Sequence, residues 1–516
     1  MCFLFGHTNN MSILGNYFHR KATENPPFHP RSDFFRTQRI CADSLLRIFE
    51  RCDDFQLRPV WPGGEKLEGV SVCWLDGVTS AEAVSRDVLR PLAEGRRAAP
   101  GADHRAWFSA LERGAVWQCA VTRCGTLADL LPQLLGGSCA VVSDRLGEAL
   151  AFETRGANTR AVGQPSVEKS VKGGKDAFVE TLRTNTALVR RRLRSSALKL
   201  VQTTVGRKSG TPVAVMFLDG VASPETVSSL LARLDGIDID GLTAAGNLEP
   251  YLTDFPNSPF PQLIHTERPD KFASELLSGR IGLLADGLPL GFLLPATLPH
   301  FMKVAEDKAQ HFIIASALTL LRWLSMLISV LFPALLIAVS MYHQEMIPAK
   351  LLVSMIAAKQ EVPFSSAVEV LAMLVAFELL MEAGIRLPDP VGDTVSIIGA
   401  LIVGQSAVEA KVISPIAVIV VALAGIAGYT MPSQDMGTAL RLCRFALAAA
   451  GALAGMFGVV LGLALILWHL CTMESFGRAY LPAGRDDARP AVRRRPPWRD
   501  TTRDPALSGG DRRRRA

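Results

Sequence analysis

Three long stretches without Asp, Glu, Lys or Arg constrain the fold of this chain more than any other feature. They cover residues 323–342, 412–431 and 445–471. Each is long enough to cross a bilayer as a helix, which takes about 20 apolar residues. The sequence after residue 300 therefore predicts an all-α multi-pass membrane domain, with a kink at Pro333. In the third stretch, two GxxxG pairs predict close helix pairing: Gly451 with Gly455, and Gly458 with Gly462.

The segment 393–411 is apolar enough for a membrane and yet carries polar side chains. On a helix of 3.6 residues per turn its residues separate into two faces, one polar at both ends and one made of small residues. The first face holds Thr394, Ile398, Leu401, Ile402, Gln405 and Glu409. The opposite face holds Ser396, Gly399, Ala400, Gly404 and Ala407.

Two interpretations of this segment stay open. Small faces let membrane helices approach closely, and polar faces at membrane depth are tolerated where they meet protein or water. The first face is therefore a candidate pore lining in which Glu409 favours cations, while Ile398, Leu401 and Ile402 form a ring that gates by dewetting. An ordinary buried helix with polar ends at the membrane surface fits the same periodicity.

A further candidate span, 364–380, contains the two acidic residues Glu369 and Glu378. They lie roughly opposite each other on a helix, so at most one of them can face a shared lumen. The other needs a partner, such as Arg386 or Lys411.

Orientation follows from charge. Residues 485–516 hold eleven Arg against five Asp, and such a tail is expected to stay cytoplasmic. Because the N-terminal half carries no export signal, it is also predicted to be cytoplasmic, which requires an even number of crossings. Four crossings with a re-entrant or partly inserted segment 393–411 meet that requirement. They would place Arg441 and Arg444 outside, against the positive-inside preference, so the number of crossings stays open.

An internal repeat organises the N-terminal half. VSVCWLDGVTSAEAV (70–84) and VAVMFLDGVASPETV (213–227) agree at nine of fifteen positions. Each copy is typical of a buried strand, an Asp-Gly turn and a helix that starts at an N-cap Ser. Each is followed by a similar helix, glycine and strand pattern, LLGGSCAVVSD (134–144) and LLSGRIGLLAD (276–286). This repeat predicts two related α/β subdomains.

The sequence thus predicts an α/β region of two related subdomains, followed by an all-α multi-pass membrane domain. The predicted parts are a loose N-terminal extension (1–66), cytoplasmic subdomain 1 (67–160), a basic linker helix (161–199), cytoplasmic subdomain 2 (200–300), the membrane domain (301–482) and a disordered Arg-rich tail (483–516).

Two features of the N-terminal half permit alternatives. Asp at the end of a strand can bind metal or phosphate, but Asp-Gly also satisfies turn geometry without a ligand, which is the favoured interpretation. The helix within 176–200 carries five Arg and can contact anionic lipid or an acidic partner. Its apolar residues equally suit a helix that joins the two subdomains, and that interpretation is favoured.

No motif for catalysis, a cofactor, a metal or nucleic acid is present. The nine cysteines include no CxxC pair, which favours free thiols in a reducing compartment. The formal net charge of +6 comes almost entirely from the C-terminal tail, so the charge balance does not indicate nucleic-acid binding. His343 lacks the second histidine of an HExxH site, and no Walker A or GxSxG pattern occurs. The chain is therefore not expected to be an enzyme.

Several long motifs occur together and in order. They are FVETLRTNTALVRRRLRS (178–195), DGIDIDGL (235–242), SPFPQLIHTERPDK (258–271), MYHQEMIP (341–348) and EAGIRLPDPVGDTVSIIGALIVGQSAVEAKVISP (382–415). Together they closely resemble the A subunit of GerA-type spore germination receptors. The resemblance covers about residues 67–482 and is looser in the first subdomain.

This resemblance implies a nutrient germinant receptor subunit in the inner membrane of a bacterial spore. It implies two partners, a transporter-like B subunit that senses the nutrient and a lipoprotein C subunit. It also implies assembly of the A subunit into a homo-oligomeric ion channel in contact with membrane lipid.

Two other classes of function share features with this sequence. A non-conducting membrane scaffold that recruits germination partners would share the same spans, and only ion flux separates it from a channel. A solute carrier would show repeated membrane halves, and the spans contain no such repeat.

Overall fold

The computed structural model describes residues 38–60, 70–94, 104–117, 120–155, 173–244, 248–386 and 404–481, with isolated positions between and beyond them. The chain divides into two compact units. The first, here called the α/β unit, comprises Met1–Thr253, Leu263–Pro295 and Pro497–Ala516. The second, here called the helical unit, comprises Asp254–Gln262 and Ala296–Pro496.

The α/β unit contains two five-stranded sheets. The first is built from β1 (Phe55–Pro59), β2 (Val70–Leu75), β3 (Val121–Cys124), β4 (Ser138–Ser143) and β5 (Glu148–Glu153). The second is built from β6 (Leu198–Val205), β7 (Thr211–Leu218), β8 (Ile264–Thr266), β9 (Ile281–Ala285) and β10 (Gly291–Leu294). Their helices are α1 (Ala42–Ile48), α2 (Ala81–Ala83), α3 (Arg90–Glu94), α4 (His104–Ala110), α5 (Leu127–Leu135), α6 (Leu182–Arg192), α7 (Pro224–Asp235), α8 (Glu249–Leu252) and α9 (Pro269–Leu277).

The two sheets share one topology. The strand order is β1-β2-β4-β5-β3 in the first and β6-β7-β9-β10-β8 in the second, and all pairings are antiparallel. The first residues of the two repeat copies occupy the same place in the two sheets. Val70 of β2 lies opposite Ser143 of β4, and Val213 of β7 lies opposite Ala285 of β9. The prediction of two related α/β subdomains is confirmed.

The repeated Asp-Gly turns are followed by helices that start at the predicted serines. Ser80 accepts a hydrogen bond from the Ala83 amide at 3.2 Å, and Ser223 accepts one from the Thr226 amide at 3.4 Å. Gly77 and Gly220 have φ of +83° and +75°, which glycine adopts without strain. These contacts account for the turns without any ligand.

Helix α6 joins the two subdomains. At its first residue, the Leu182 amide donates to the Asp286 carboxylate of the second subdomain at 2.9 Å. Further along, Arg183 pairs with Asp76 of the first subdomain. The contacts match the interpretation of this basic helix as a connector.

An ion pair between Arg190 of α6 and Asp54 is buried inside the α/β unit. Both side chains are at most 5% exposed, and the Arg190 Nη2 to Asp54 Oδ1 distance is 2.7 Å. Burial opposes the positive charge of Arg190, but Asp54 outweighs that effect and raises the pKa of the guanidinium. Arg190 also donates to the Leu198 carbonyl at 3.1 Å, so the pair ties β6 to the segment before β1.

The segment before residue 67 contributes to the first subdomain through α1 and β1, and β1 pairs with β2. Residues 1–34 lie outside the described part of the chain. So does most of the predicted Arg-rich tail. At two described tail positions, Arg494 donates to the Lys308 carbonyl at 3.0 Å and Arg503 donates to the Leu277 carbonyl at 2.9 Å.

The seven cysteines that the structure describes are all free. Burial raises the pKa of the Cys73 thiol to about 12 and that of Cys124 to about 11. Such thiols stay protonated at neutral pH and are poor nucleophiles.

The helical unit is formed by α10 (Leu298–Phe301), α11 (Phe312–Tyr342), α12 (Ala349–Lys359), α13 (Ser366–Arg386), α14 (Pro415–Tyr429) and α15 (Gln434–Thr472). By length and composition, α11 and α15 qualify as membrane spans, and α14 is a shorter apolar helix. Helix α11 runs unbroken through Pro333, so the predicted kink there does not break the helix. An apolar cluster of α11, α13, α14 and α15 forms the core of the unit.

Helix α15 is a hairpin. Its backbone is non-helical at Ala454 and Gly455, where Gly455 has φ of +59°. A straight helix of this length would extend about 58 Å. Instead, a β-carbon at Gly462 would lie 2.7 Å from the Leu447 side chain, so the chain must reverse. The prediction of one continuous span over 445–471 is therefore wrong, because Gly455 allows a turn that other residues rarely adopt.

We predict that the variant Arg190→Ala lowers the free energy of unfolding of the α/β unit by about 3–5 kcal/mol, because it leaves the Asp54 carboxylate buried without its partner. The matched control is Arg183→Ala, whose pair with Asp76 is exposed and is worth at most about 1 kcal/mol. Denaturant unfolding of the detergent-solubilised full chain measures both. Equal stability of the two variants would contradict the importance given to the buried pair.

Candidate functional site

The helical segment 404–409 is the described end of the predicted pore helix. Gly404 is buried, and a β-carbon there would lie 3.5 Å from a Val418 methyl group. Ala407 is partly buried and packs against the apolar cluster. Gln405 and Glu409 are exposed and share a hydrogen bond of 2.8 Å. At these four positions the small residues face protein and the polar residues do not.

The other residues predicted for this site lie outside the described part of the chain, and their roles stay predictions. Those of the predicted pore face are Thr394, Ile398, Leu401 and Ile402. Those of the predicted packing face are Ser396, Gly399 and Ala400.

A tight turn follows the helical segment. The amides of Val412 and Ile413 both donate to the Ala407 carbonyl, at 3.0 and 3.2 Å. Lys411 has φ of +57°, and its ammonium pairs with Glu361 at 2.7 Å. Lys411 is thus the partner of Glu361, which the sequence did not single out, and among the described ion pairs it contacts neither Glu369 nor Glu378.

Glu369 of α13 is buried where α14 begins. Its side chain is 1% exposed, and its Oε2 atom accepts a hydrogen bond from the Ser414 amide at 2.9 Å. Ser414 is the N-cap of α14, with Pro415 at the first helical position. The N-terminus of a helix carries partial positive charge, which stabilises a carboxylate there. The Lys359 ammonium lies 3.7 Å from Glu369 Oε1.

A cavity of about 60 Å³ opens beside Glu369. Residues from α11, α12, α13 and α14 line it, together with the link between α11 and α12. Its polar lining is Ser340, Gln344, Lys359, Ser366, Glu369 and Ser414. The other lining residues are apolar, among them Leu336, Met355 and Ile416. A cavity of this size and lining has room for a small molecule with one polar end.

Glu378, two turns further along α13, meets the first half of the α15 hairpin. Its Oε1 atom accepts a hydrogen bond from Arg441 at 2.6 Å, and Arg444 lies 3.8 Å from its Oε2 atom. Arg444 is only 3% exposed, so Glu378 supplies the negative charge that this buried guanidinium requires. The sequence pointed to Arg386 or Lys411 for a partner. The partner is instead Arg441, because α15, more than sixty residues later in the chain, packs against α13.

Sequence reasoning missed the role of Lys359 and Arg441 in this region. Each partner lies on a different helix from its glutamate, so helical periodicity carries no signal for the pairing. The useful signal was chemical, because a glutamate inside an apolar helix needs a cation from elsewhere in the fold.

Among the described residues, no group of three or more His, Cys, Asp or Glu side chains could hold a metal ion.

Comparison with known proteins identifies the family. The model of the Bacillus/Clostridium GerA spore germination proteins matches residues 43–506. This chain belongs to the GerA spore germination protein family. The resemblance drawn from the sequence motifs is confirmed.

Two curated relatives from Bacillus subtilis (strain 168) illustrate the range of this GerA family. Spore germination protein KA is 38% identical, over 74% of this chain and 71% of its own. The uncharacterized membrane protein YfkQ is 33% identical, over 91% of both chains. These matches place this GerA-type chain in a group of membrane and spore germination proteins.

One solved structure is similar to the GerA-type chain. It is the crystal structure of the N-terminal domain of the A subunit of the Bacillus megaterium spore germinant receptor GerK3. It is 28% identical, covers 51% of this chain and 96% of its own, and superposes with a TM-score of 0.40.

We predict that Glu378→Ala destabilises the helical unit by about 2–3 kcal/mol, because it leaves the buried Arg444 without a negative partner. The loss is smaller than for a fully buried pair, since Glu378 is 34% exposed. Leu379→Ala, at the next position of the same helix and with a largely exposed side chain, serves as the control. The measurement is the unfolding midpoint of the full chain in detergent, and a wild-type midpoint for Glu378→Ala would refute the assignment.

Proposed function

We propose that this chain is the A-type subunit of a nutrient germinant receptor in the spore inner membrane, and that several copies form a ligand-gated ion channel whose opening releases ions to start germination. Family membership supports the receptor part of this proposal. The proposal makes the chain a receptor subunit and not an enzyme, with no cofactor.

The division of the segment 404–409 into two faces is the observation that carries the channel proposal. Gln405 and Glu409 are exposed, while Gly404 and Ala407 pack inward. A single such helix cannot enclose a pore, so its polar face is completed by the same face of neighbouring copies. Glu409 then places a negative charge at one mouth, which favours cations.

The ends of the helical unit support a multi-pass arrangement with both termini on one side. The Leu298 amide, which precedes α11, donates to the Tyr480 carbonyl, which follows α15, at 2.9 Å. The Tyr342 hydroxyl at the far end of α11 donates to the Ala452 carbonyl beside the hairpin turn at 2.7 Å. The chain therefore enters and leaves the helical unit at the same end. We infer that this end, with the α/β unit, is cytoplasmic.

The hairpin leaves Arg441 and Arg444 at an intermediate level of the helical unit. Arg441 lies thirteen residues before Ala454, which corresponds to about 20 Å along a helix, and α11 is about 46 Å long by the same rise per residue. Both arginines are paired with Glu378. Their positions therefore do not decide which end of the unit is cytoplasmic.

The partners follow from the family resemblance. The proposal includes a transporter-like B subunit that senses the nutrient, a lipoprotein C subunit and further copies of this chain. A non-conducting scaffold would bind the same partners without changing ion flux. Cation flux from liposomes that contain the purified chain, alone and with the partner subunits, distinguishes a channel from such a scaffold.

We predict that Ile398→Ser or Ile402→Ser produces cation leak in liposomes and spores that germinate without nutrient, because a polar ring stays wet. Ile419→Ser is the matched control, since Ile419 is 63% exposed on α14 and the proposal gives it no place in the pore. Wild-type flux in the first two variants, or equal leak in all three, would reassign the segment 393–411 as a packing helix.

We predict that Gly404→Leu blocks assembly of the oligomer, because its side chain would collide with Val418 and displace the segment 404–409. Gly437→Leu is the control, since a β-carbon there would meet no atom within 4 Å. Cross-linking in membranes, compared with total protein, separates lost assembly from lost expression. Normal oligomers in Gly404→Leu would contradict the packing role.

A further inference from the structure

The cavity beside Glu369 contains an oxygen atom that lacks a hydrogen bond. Glu369 Oε2 is satisfied by the Ser414 amide, but Oε1 has no hydrogen-bond partner among the described residues. A buried carboxylate oxygen without a hydrogen-bond donor is energetically unfavourable. The cavity therefore favours an occupant that brings hydrogen-bond donors and positive charge to this atom.

In this structure the Lys359 ammonium supplies the charge from the side of the cavity. It lies 3.7 Å from Glu369 Oε1 and donates a hydrogen bond to the Ser366 hydroxyl. The ion pair with Glu369 is thus longer than a hydrogen bond, and one donor of the ammonium is used on Ser366. Lys359 therefore compensates the negative charge of Glu369, while the Oε1 atom of Glu369 still lacks a hydrogen-bond donor.

The helix that carries Lys359 is weakly anchored. None of the residues of α12 is buried. Lys359 itself is 37% exposed, whereas Glu369 is 1% exposed. The carboxylate is thus a fixed part of the fold, and the ammonium reaches it on a flexible side chain from a loosely packed helix. Such an ammonium is exchangeable.

We propose that this cavity is a binding site for a small primary ammonium group, and that the Lys359 ammonium holds the position beside Glu369 in this structure as a tethered ligand. Glu369 binds the charge of the guest, and the hydroxyl groups of Ser366 and Ser340 accept its hydrogen bonds. Gln344 adds an amide oxygen, since its Nε2 atom already donates to the Ser340 carbonyl at 2.9 Å. A free ammonium compound enters when Lys359 and α12 move away.

The lining discriminates among ligands. Its fixed charged group is the Glu369 carboxylate, which excludes anions. Hydroxyl, amide and carboxylate oxygens accept N–H donors, which a quaternary ammonium does not have. The volume of about 60 Å³ limits the guest to a small head group. An alkali cation has the same charge as a primary ammonium but has no N–H groups to donate. An experiment can therefore distinguish these two kinds of ligand. The site does not depend on the chain being a channel.

Chemical rescue of Lys359→Ala tests the proposal on the purified full chain in detergent. The substitution removes three methylene groups and the ammonium, which together match propylammonium. Without its partner Glu369 becomes an isolated buried charge, and the melting temperature is expected to fall by several degrees. Propylammonium chloride is expected to restore most of that loss, because it binds only the folded state.

Matched variants and salts decide the outcome. Lys350→Ala, at the other end of the same helix, should show neither the loss nor the rescue. In Lys359→Ala with Glu369→Gln the rescue should disappear, since the charge that binds the guest is gone. Potassium and tetramethylammonium chlorides at equal concentration should not replace propylammonium. Equal stabilisation by either salt, or the same effect on Lys350→Ala, would overturn the proposal.

A folding defect in Lys359→Ala does not remove the test, because accumulation of the protein then becomes the readout. Propylammonium in the growth medium should restore accumulation of this variant. The neutral pair Lys359→Met with Glu369→Gln should accumulate without any amine, because no buried charge is left unpaired. Accumulation of the neutral pair without rescue of Lys359→Ala would overturn the proposal.

Discussion

The helical unit depends on a partner for each charge that lies within its apolar sequence. Unpaired charges are strongly unfavourable at membrane depth, so each one restricts which helices can be neighbours. Glu378 binds α13 to the first half of the α15 hairpin through Arg441, and Glu369 binds α13 to the start of α14 through the Ser414 amide. Three turns into α11, Arg322 forms two hydrogen bonds with Asp307 of the segment that precedes the helix, at 2.6 and 3.0 Å. Because one helical turn is about 5.4 Å, a shift of any of these helices by a turn would break its pair, so the pairs fix the register that apolar packing alone leaves free.

The α/β unit applies the same rule around one helix. Helix α6 has charged residues on both its buried side and its exposed side. Arg190 is buried against Asp54, and Asp286 accepts a hydrogen bond from the amide at the start of the helix. A buried pair of this kind contributes little net stability compared with apolar residues of equal volume, but an arrangement that separates the two partners leaves a buried charge unpaired and is strongly disfavoured. Two subdomains of the same topology could dock in several ways, and the pairing of Arg190 and Asp54 selects one.

The parts of this structure that sequence reasoning predicted are those set by local signals. Both sheets were predicted because strand, Asp-Gly turn and N-cap serine recur within fifteen residues, and each of those features acts through neighbouring atoms. The α15 hairpin was missed because GxxxG spacing describes close packing without saying what is packed. Gly451 does approach another helix, with its β-position 2.9 Å from the Ala334 carbonyl, while Gly462 packs against Leu447 of its own hairpin. The partners of Glu369 and Glu378 were missed for the same reason, since a buried glutamate indicates that a cation is nearby but not which one.

The cavity beside Glu369 and the exposed face of the segment 404–409 are connected through one short turn. Ser414 at the end of that turn donates to Glu369, and Lys411 within it pairs with Glu361, two residues beyond Lys359. A change in the position of α12 therefore acts on this turn at two points at once, through the Glu361 pair and through the charge opposite Glu369. The turn cannot absorb such a change by stretching, because the Val412 and Ile413 amides are both bonded to the carbonyl of Ala407. Energetic coupling between sites is carried by chains of packed side chains, hydrogen bonds and ion pairs, and these contacts form one such chain between the ammonium of α12 and the helical segment that carries Glu409.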